Sequence, residues 1–263
     1  MISGPLDALP LWGVLLGVAF LLCLAMEVGY RIGKWRHFRH PDERDQPVGA
    51  MVASILGLLA LVLGFTFSLS AGRFEARRQV VLEEANAIGT AYLRTGLLSE
   101  PESAVAADLL RRYVDVRVRG VQEGKVAQAL QESETLHGAL WAQAVSAGHK
   151  APDAITTGLF IQSLNDVIDL HAKRVLVGIR SRIPLVIWVF LIGLAALGMA
   201  AVGYQAGLST TRRSPAMSGL VLAFAGVLTL IADLDRGQEG LLRVSQQALI
   251  DVQRSMQPAT PKP

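Results

Sequence analysis

Four stretches of this chain stay apolar for about 20 residues at a time, the length an α-helix needs to cross a hydrocarbon layer roughly 30 Å thick. They run from about Leu9 to Met26, from about Val48 to Ser70, from Ile183 to about Leu208 and from about Ala216 to Leu234. A helix at a protein–water boundary keeps a polar face, and these do not, so the pattern predicts an integral membrane protein of four spans. Asp7, with no Lys or Arg, precedes the first run, and Glu27 follows it without a small-residue cleavage pattern. That run therefore reads as a retained span rather than a secretory signal.

Composition narrows the class. The 263 residues are 51% hydrophobic but only 6% aromatic, so Leu, Ala, Val and Gly carry the excess, as they do where helices approach closely in lipid. A formal charge of +3 is too small to argue for nucleic acid. The one cysteine, Cys23, lies inside the first apolar run, which excludes a disulfide framework and a thiolate metal cluster.

The spans predict two membrane hairpins, residues 1–71 and 183–235, joined by an extramembrane domain over 72–182 and followed by a tail, 236–263. No alternating strand pattern appears, so the fold class is all-α. No Gly or Pro interrupts Arg73 to Asn86, which predicts that the second span continues as helix to about Leu98. Ser99 and Glu102 have the spacing of a capping box with Pro101 in the first turn, opening a helix that ends near Gly120. A further helix is predicted from Lys125 to Ala147, stopped by Gly148, and another from an Asp153 N-cap to Arg182, bending into the third span at Pro184. The Pro-containing segment after Met256 is expected to lack fixed structure.

Basic residues speak to orientation in two ways. Arg31, Lys34, Arg36, Arg39 and Arg44 crowd the first short loop, and Arg212 and Arg213 the second, which favours both loops in the cytoplasm with the termini and helical domain outside. Arg73, Arg77, Arg78, Lys173, Arg174, Arg180 and Arg182 flank the other ends of the second and third spans. The short loops carry more weight, because long domains translocate largely regardless of charge.

Three groups of residues invite a functional reading. Counting by helical turns from Phe65 places Gly57, Leu61, Ser68 and Gly72 on one face of the second span. A face of small, apolar and hydroxyl groups suits a hydrophobic constriction in a channel, and equally suits helix packing in lipid. Beyond the span, Glu83, Asn86, Thr90 and Arg94 align, with Asn165, Asp169 and Arg174 as a matching face; a polar network clamping two helices and an ion-conducting vestibule both fit. Asp233, Asp235 and Arg236 close the fourth span at the membrane boundary, as an interfacial cap or ion pair, or as an ion-attracting ring in an oligomer. His37 and His40 lack a third metal ligand, and Asp233, Asp235 and Glu239 lack the spacing of a calcium loop. Trp35 and Phe38 among Arg and Lys fit an anchor on anionic lipid. No nucleophile–base arrangement, phosphate loop or H-E-x-x-H pattern is present, so neither an enzyme nor a cofactor is expected.

The second span resembles that of the bestrophins in Gly64, Phe65, Ser68, Arg73 and Phe74, and Glu75-Ala76-Arg77 resembles the continuation in bacterial relatives. A closer resemblance, from about Gly49 to Val252, is to bacterial bestrophin-like membrane proteins. It is carried by Glu83-Glu84-Ala85-Asn86-Ala87-Ile88-Gly89-Thr90-Ala91-Tyr92-Leu93-Arg94, Leu164 to His171, Asp233-Leu234-Asp235-Arg236 and Arg243 to Gln247. The resemblance implies a bacterial inner-membrane protein, and more remotely a pentameric anion channel whose neck falls on Gly57, Leu61 and Phe65. The chain departs from bestrophins in the glycine at 57, in its charge bias and in lacking an acidic calcium clasp. The expectation is an oligomeric chloride-type channel with Arg73 and Arg77 at its mouth, bound to membrane lipid. The alternative is a non-conducting, membrane-anchored sensor or scaffold.

Overall fold

The structure, a computed structural model, describes residues 9–39, 48–152, 154–209, 215–236 and 240–257. The described residues form helices only: α1 (Leu11–Arg39), α2 (Val48–Thr95), α3 (Glu102–Gln122), α4 (Val126–Lys150), α5 (Ile155–Val175), α6 (Leu185–Leu208), α7 (Pro215–Asp235) and α8 (Gln247–Ser255). One π-helical turn, Leu176–Arg180, extends α5. Four of these helices, α1, α2, α6 and α7, are long and apolar enough to cross a membrane. Arg44, Arg212, Arg213, His40, Asp153, Glu239 and the segment from residue 258 onward lie outside the described residues.

The chain divides into two compact units: Ile2–Phe74 with Arg182–Arg243, and Glu75–Ser181 with Val244–Pro263. In the first unit α1 packs along α6 and α7. Leu22, Leu59, Leu191, Met199, Ala225 and Leu228 form the centre of its core. The α1–α6 contact is made by two pairs of glycines four residues apart, Gly29 and Gly33 against Gly203 and Gly207. A Cβ on Gly29 or Gly33 would run into the carbonyls of Ala200 and Tyr204, and one on Gly203 or Gly207 into those of Met26 and Tyr30. Residue numbers rise together along this contact, so α1 and α6 run parallel. Lipid supplies no hydrophobic drive for helix association, so backbone approach of this kind supplies the contact instead.

In the second unit α3 packs on α4, α4 on α5, and α3 on α8. Ile88, Leu110, Leu140, Phe160, Leu164 and Leu249 are fully buried there. Gly124, at φ +70°, makes the left-handed turn between α3 and α4. The α8 segment is held by Arg111, whose Nε donates to the Met256 carbonyl at 3.0 Å, and by Gln253, whose Nε2 donates to Asp115 Oδ1 at 2.7 Å.

Several helix ends differ from the expectation. The capping box at Ser99 does not form: Glu102 turns its carboxylate to Ser146 Oγ and Lys150 Nζ, both at 2.8 Å, and Glu100 Oε2 accepts the Ala104 N–H instead. α2 stops at Thr95 because Leu97 and Leu98 close a tight turn onto the Arg94 and Thr95 carbonyls around Gly96. α4 continues through Gly148 to Lys150, since nothing there requires a left-handed residue. Helix does not run from α5 into α6: Ser181 to Pro184 are non-helical. Pro184 cannot donate to a preceding turn and biases Ile183 away from helix. The Ile183 N–H finds Asp235 Oδ1 at 3.0 Å instead.

Gly203→Leu is expected to cost about 3 kcal/mol, the upper end for overpacking a close contact, and to lower the thermal midpoint in detergent. Gly193→Ala, on the same helix with nothing within 4 Å of its Cβ position, leaves that midpoint unchanged or raises it.

Candidate functional site

The face of α2 carrying Gly57, Leu61, Phe65 and Ser68 is uncovered. Leu61 is 56% and Phe65 69% exposed, while Val52, Leu59, Leu63, Thr66 and Ser70 on other sides of the helix are buried. A Cβ on Gly57 or Gly64 would meet nothing within 4 Å. The hydroxyls of Thr66 and Ser70 donate to the carbonyls of Val62 and Thr66, at 2.8 and 2.9 Å, so the buried side carries no unspent donor. What remains outward is an apolar surface with the Ser68 hydroxyl and two glycines, and without charge.

One turn beyond, Arg73 Nη1 lies 3.7 Å from Asp235 Oδ1. Arg77 is buried, and its guanidinium donates to the carbonyls of Val177 and Ser181, at 3.4 and 3.0 Å, just past the π turn of α5. The three residues at the end of α7 are all buried and each ties down a different segment. Asp233 accepts the backbone N–H groups of Leu241 and Leu242, at 2.8 and 3.2 Å. Asp235 receives Ile183 N–H on its carboxylate and Arg182 on its carbonyl, and Arg236 Nη2 donates to the Leu9 carbonyl at 2.6 Å.

Of the polar set placed on the helical extension, Glu83 pairs with Lys173 at 2.7 Å and Arg94 donates to the Leu159 carbonyl at 2.7 Å. Both join α2 to α5. Asn86, Asn165 and Asp169 are exposed. The centre of the unit is one residue away, at Glu84, which is fully buried. Its carboxylate accepts from Tyr113 Oη at 3.1 Å, meets Arg117 Nε at 3.1 Å and is paired with Arg174. Arg174 Nη2 also donates to Gln246 Oε1 at 2.6 Å, which brings in the segment before α8. The Tyr113 hydroxyl has one proton and gives it to the carboxylate, so His171 Nδ1, 3.2 Å away, carries its own proton and donates to Tyr113 Oη. His137 completes the group, its ring edge-on to His171 with centroids 4.8 Å apart.

The energetics of this cluster follow from one carboxylate between two guanidiniums. Burial pushes the Glu84 carboxyl up, but the charges of Arg174 and Arg117 and the hydrogen bonds from Arg174 and Tyr113 outweigh it and hold it below the usual range. Burial and the Glu84 charge push the Tyr113 hydroxyl well up. Burial first, then the charge of Arg117, lowers both histidines from 6.5 to about 4, so both are neutral at pH 7. The cluster was hidden in the sequence because Glu84, unlike Glu83, sits on the apolar stripe with Val80, Val81, Ile88 and Ala91. A carboxylate on such a stripe is itself the signal of a buried partner.

Removing the buried charge leaves two guanidiniums uncompensated, so Glu84→Gln is expected to cost about 3–5 kcal/mol in denaturant unfolding. Glu83→Gln, losing a half-exposed pair, stays within about 1 kcal/mol. The histidines add a pH signature. Unfolded, they take up protons near 6.5, and folded only near 4, so the unfolded state holds more protons between those values. Their contribution is full above about pH 6.5 and is lost as pH falls toward 4. A His137→Gln, His171→Gln variant should show a flatter dependence of the thermal midpoint across that window.

Among the described residues no three His, Cys, Asp or Glu side chains gather as a metal site. No curated protein and no solved structure matches the chain. The family model described as Bestrophin-like domain matches residues 19–249, which takes in most of α1, all of α2 to α7 and the start of α8. With its four apolar helices, the chain is an integral membrane protein that belongs to the bestrophin-like family.

Proposed function

We propose that this protein is an ion channel assembled from several copies of the chain, with α2 of each copy lining a central pathway. The observation that carries the reading is the uncovered face of α2. Leu61 and Phe65 stand exposed one turn apart between Gly57 and Ser68, opposite the stripe of α2 that is buried at Val52, Leu59, Leu63, Thr66 and Ser70. Arranged around an axis, such faces form an apolar constriction that gates by excluding water. Family membership supports the same reading, with five copies if assembly follows that of bestrophins.

In this reading the pathway prefers anions such as chloride. Arg73 and Arg77 hold fixed positive charge one helical turn apart just past the apolar face, and a cationic ring concentrates anions. Asp235 offsets part of the Arg73 charge. Residues 72–182 lie outside the membrane on the side where α1 begins, and the spans form two hairpins. The parallel run of α1 and α6 supports this, because α2 must return the chain between them. The basic end of α1 then faces the cytoplasm of a bacterial inner membrane, with the termini and the helical unit on the outer side. This reading assigns no catalytic role to the Glu84 cluster, whose carboxylate is engaged by Tyr113, Arg117 and Arg174.

The test is oligomer mass by light scattering in detergent together with chloride flux from liposomes. A symmetric oligomer is expected, with flux in the wild type and higher flux in Phe65→Ala, where the constriction is widened. A monomer or dimer, silent in both forms, overturns the channel and leaves a membrane-anchored sensor or scaffold.

A further inference from the structure

We infer that the end of α1 is a docking surface for anionic phospholipid headgroups, with the outward side of the helix against their acyl chains. The inference rests on the membrane-spanning assignment and is independent of conduction. Exposed apolar side chains recur turn after turn along α1, from Trp12 through Leu16, Phe20 and Val28 to Trp35 and Phe38. Trp12 and Trp35, 68% and 59% exposed, are separated by about 35 Å of helix, close to the distance between the two interfacial layers where tryptophan prefers to sit.

The two ends are not alike. From Tyr30 to Arg39 there is no acidic residue, and Arg31, Lys34, Arg36 and Arg39 are all exposed. Arg31 is engaged by Glu27 at 2.9 Å. Arg39 lies over the Trp35 ring, 4.6 Å from its centroid, and Lys34 over Phe38 at 5.9 Å. The helix dipole alone accounts for cations in a last turn. It does not account for exposed aromatic rings beneath them. A ring at the depth of the upper acyl chains with a cation held above it is the complement of a phosphate-bearing headgroup. A second protein copy is the poorer occupant, since lysine is depleted where subunits bury a surface. The opposite side of α1, at Gly29 and Gly33, is already taken by α6.

The test uses the full chain in phosphatidylcholine vesicles that carry a lipid brominated near the top of its acyl chains, either phosphatidylglycerol or phosphatidylcholine. Quenching of Trp35 is read as the difference between the wild type and Trp35→Phe. Each cation at an anionic surface favours the charged lipid by about fivefold, so phosphatidylglycerol should quench Trp35 at about one fifth or less of the mole fraction phosphatidylcholine needs. The preference should shrink at about 0.5 M salt, and should approach unity in Lys34→Gln, Arg39→Gln, substitutions at exposed positions. Equal quenching by the two lipids in the wild type overturns the inference. So does a preference indifferent to salt and to the substitutions. No quenching by either lipid means that protein covers Trp35, and overturns it as well.

Discussion

A single buried carboxylate organises the helical unit formed by residues 75–181 and 244–263. Glu84 has no exposure to water and holds four groups from three other segments: Tyr113 and Arg117 on α3, Arg174 on α5 and, through Arg174, Gln246 ahead of α8. Taking a carboxylate out of water costs several kcal/mol, and two guanidiniums cost as much again, so none of these groups can be buried alone. They enter together or not at all. That makes the register of α2 against α3 and α5 a matter of charge as well as of shape, since sliding any of the three by a turn strands an ion in an apolar core. The neutrality of His137 and His171 belongs to the same balance. With two guanidiniums and one carboxylate already inside, the cluster has no counter-charge for a third cation.

The unit built from residues 2–74 and 182–243 solves a different problem with a related device. Apolar side chains gain nothing by leaving lipid for each other, so the contacts that specify its packing are backbone contacts and buried polar ties. The glycine pairs of α1 and α6 bring two backbones within touching distance. The end of α7 does the rest, because Asp233, Asp235 and Arg236 each satisfy backbone groups of a non-helical segment: the loop at Leu241, the chain at Ile183 and the chain at Leu9. Three side chains within four residues thereby fasten three irregular segments, each at a place where an unpaired N–H or carbonyl would be costly near hydrocarbon.

The spans were legible because they rest on length and apolarity, which survive any error in detail. Helix boundaries in the polar half were less so. The Ser99–Glu102 pattern was a valid capping signal, and it lost because Glu102 is worth more beside Lys150 and Ser146 than at its own helix end. Gly148 was a valid stop signal, and it lost because a glycine stops a helix only where the chain must turn left-handed, and here that residue is Gly124. Spacing among polar residues points to Glu83 rather than Glu84. A surface reading favours the exposed member of such a pair, whereas the structure spends its polar chemistry on the buried one. The segment Asp233 to Arg236 was recognised as special, but its partners are backbone atoms, and backbone partners leave no trace in the residue pattern.

The spans of the first unit leave apolar faces uncovered within one chain, and the chemistry of those on α1 and α2 separates them. The face of α1 is broad, carries tryptophan near both ends and finishes in cations set over aromatic rings, all features that lipid rewards. The face of α2 sets glycine at 57 and 64 and a serine at 68 among the bulk of Leu58, Leu61, Phe65 and Leu69. Lipid gives no advantage to small residues or to an outward hydroxyl in a span, whereas an axis crowded by other copies does, because only small side chains and a few protruding ones fit around a narrow centre. Under the channel proposal, that contrast puts α1 at the periphery of the assembly and α2 at its middle. The contrast between the two faces adds to the exposure of α2 in that proposal, because lipid alone favours neither outward glycine nor an outward hydroxyl.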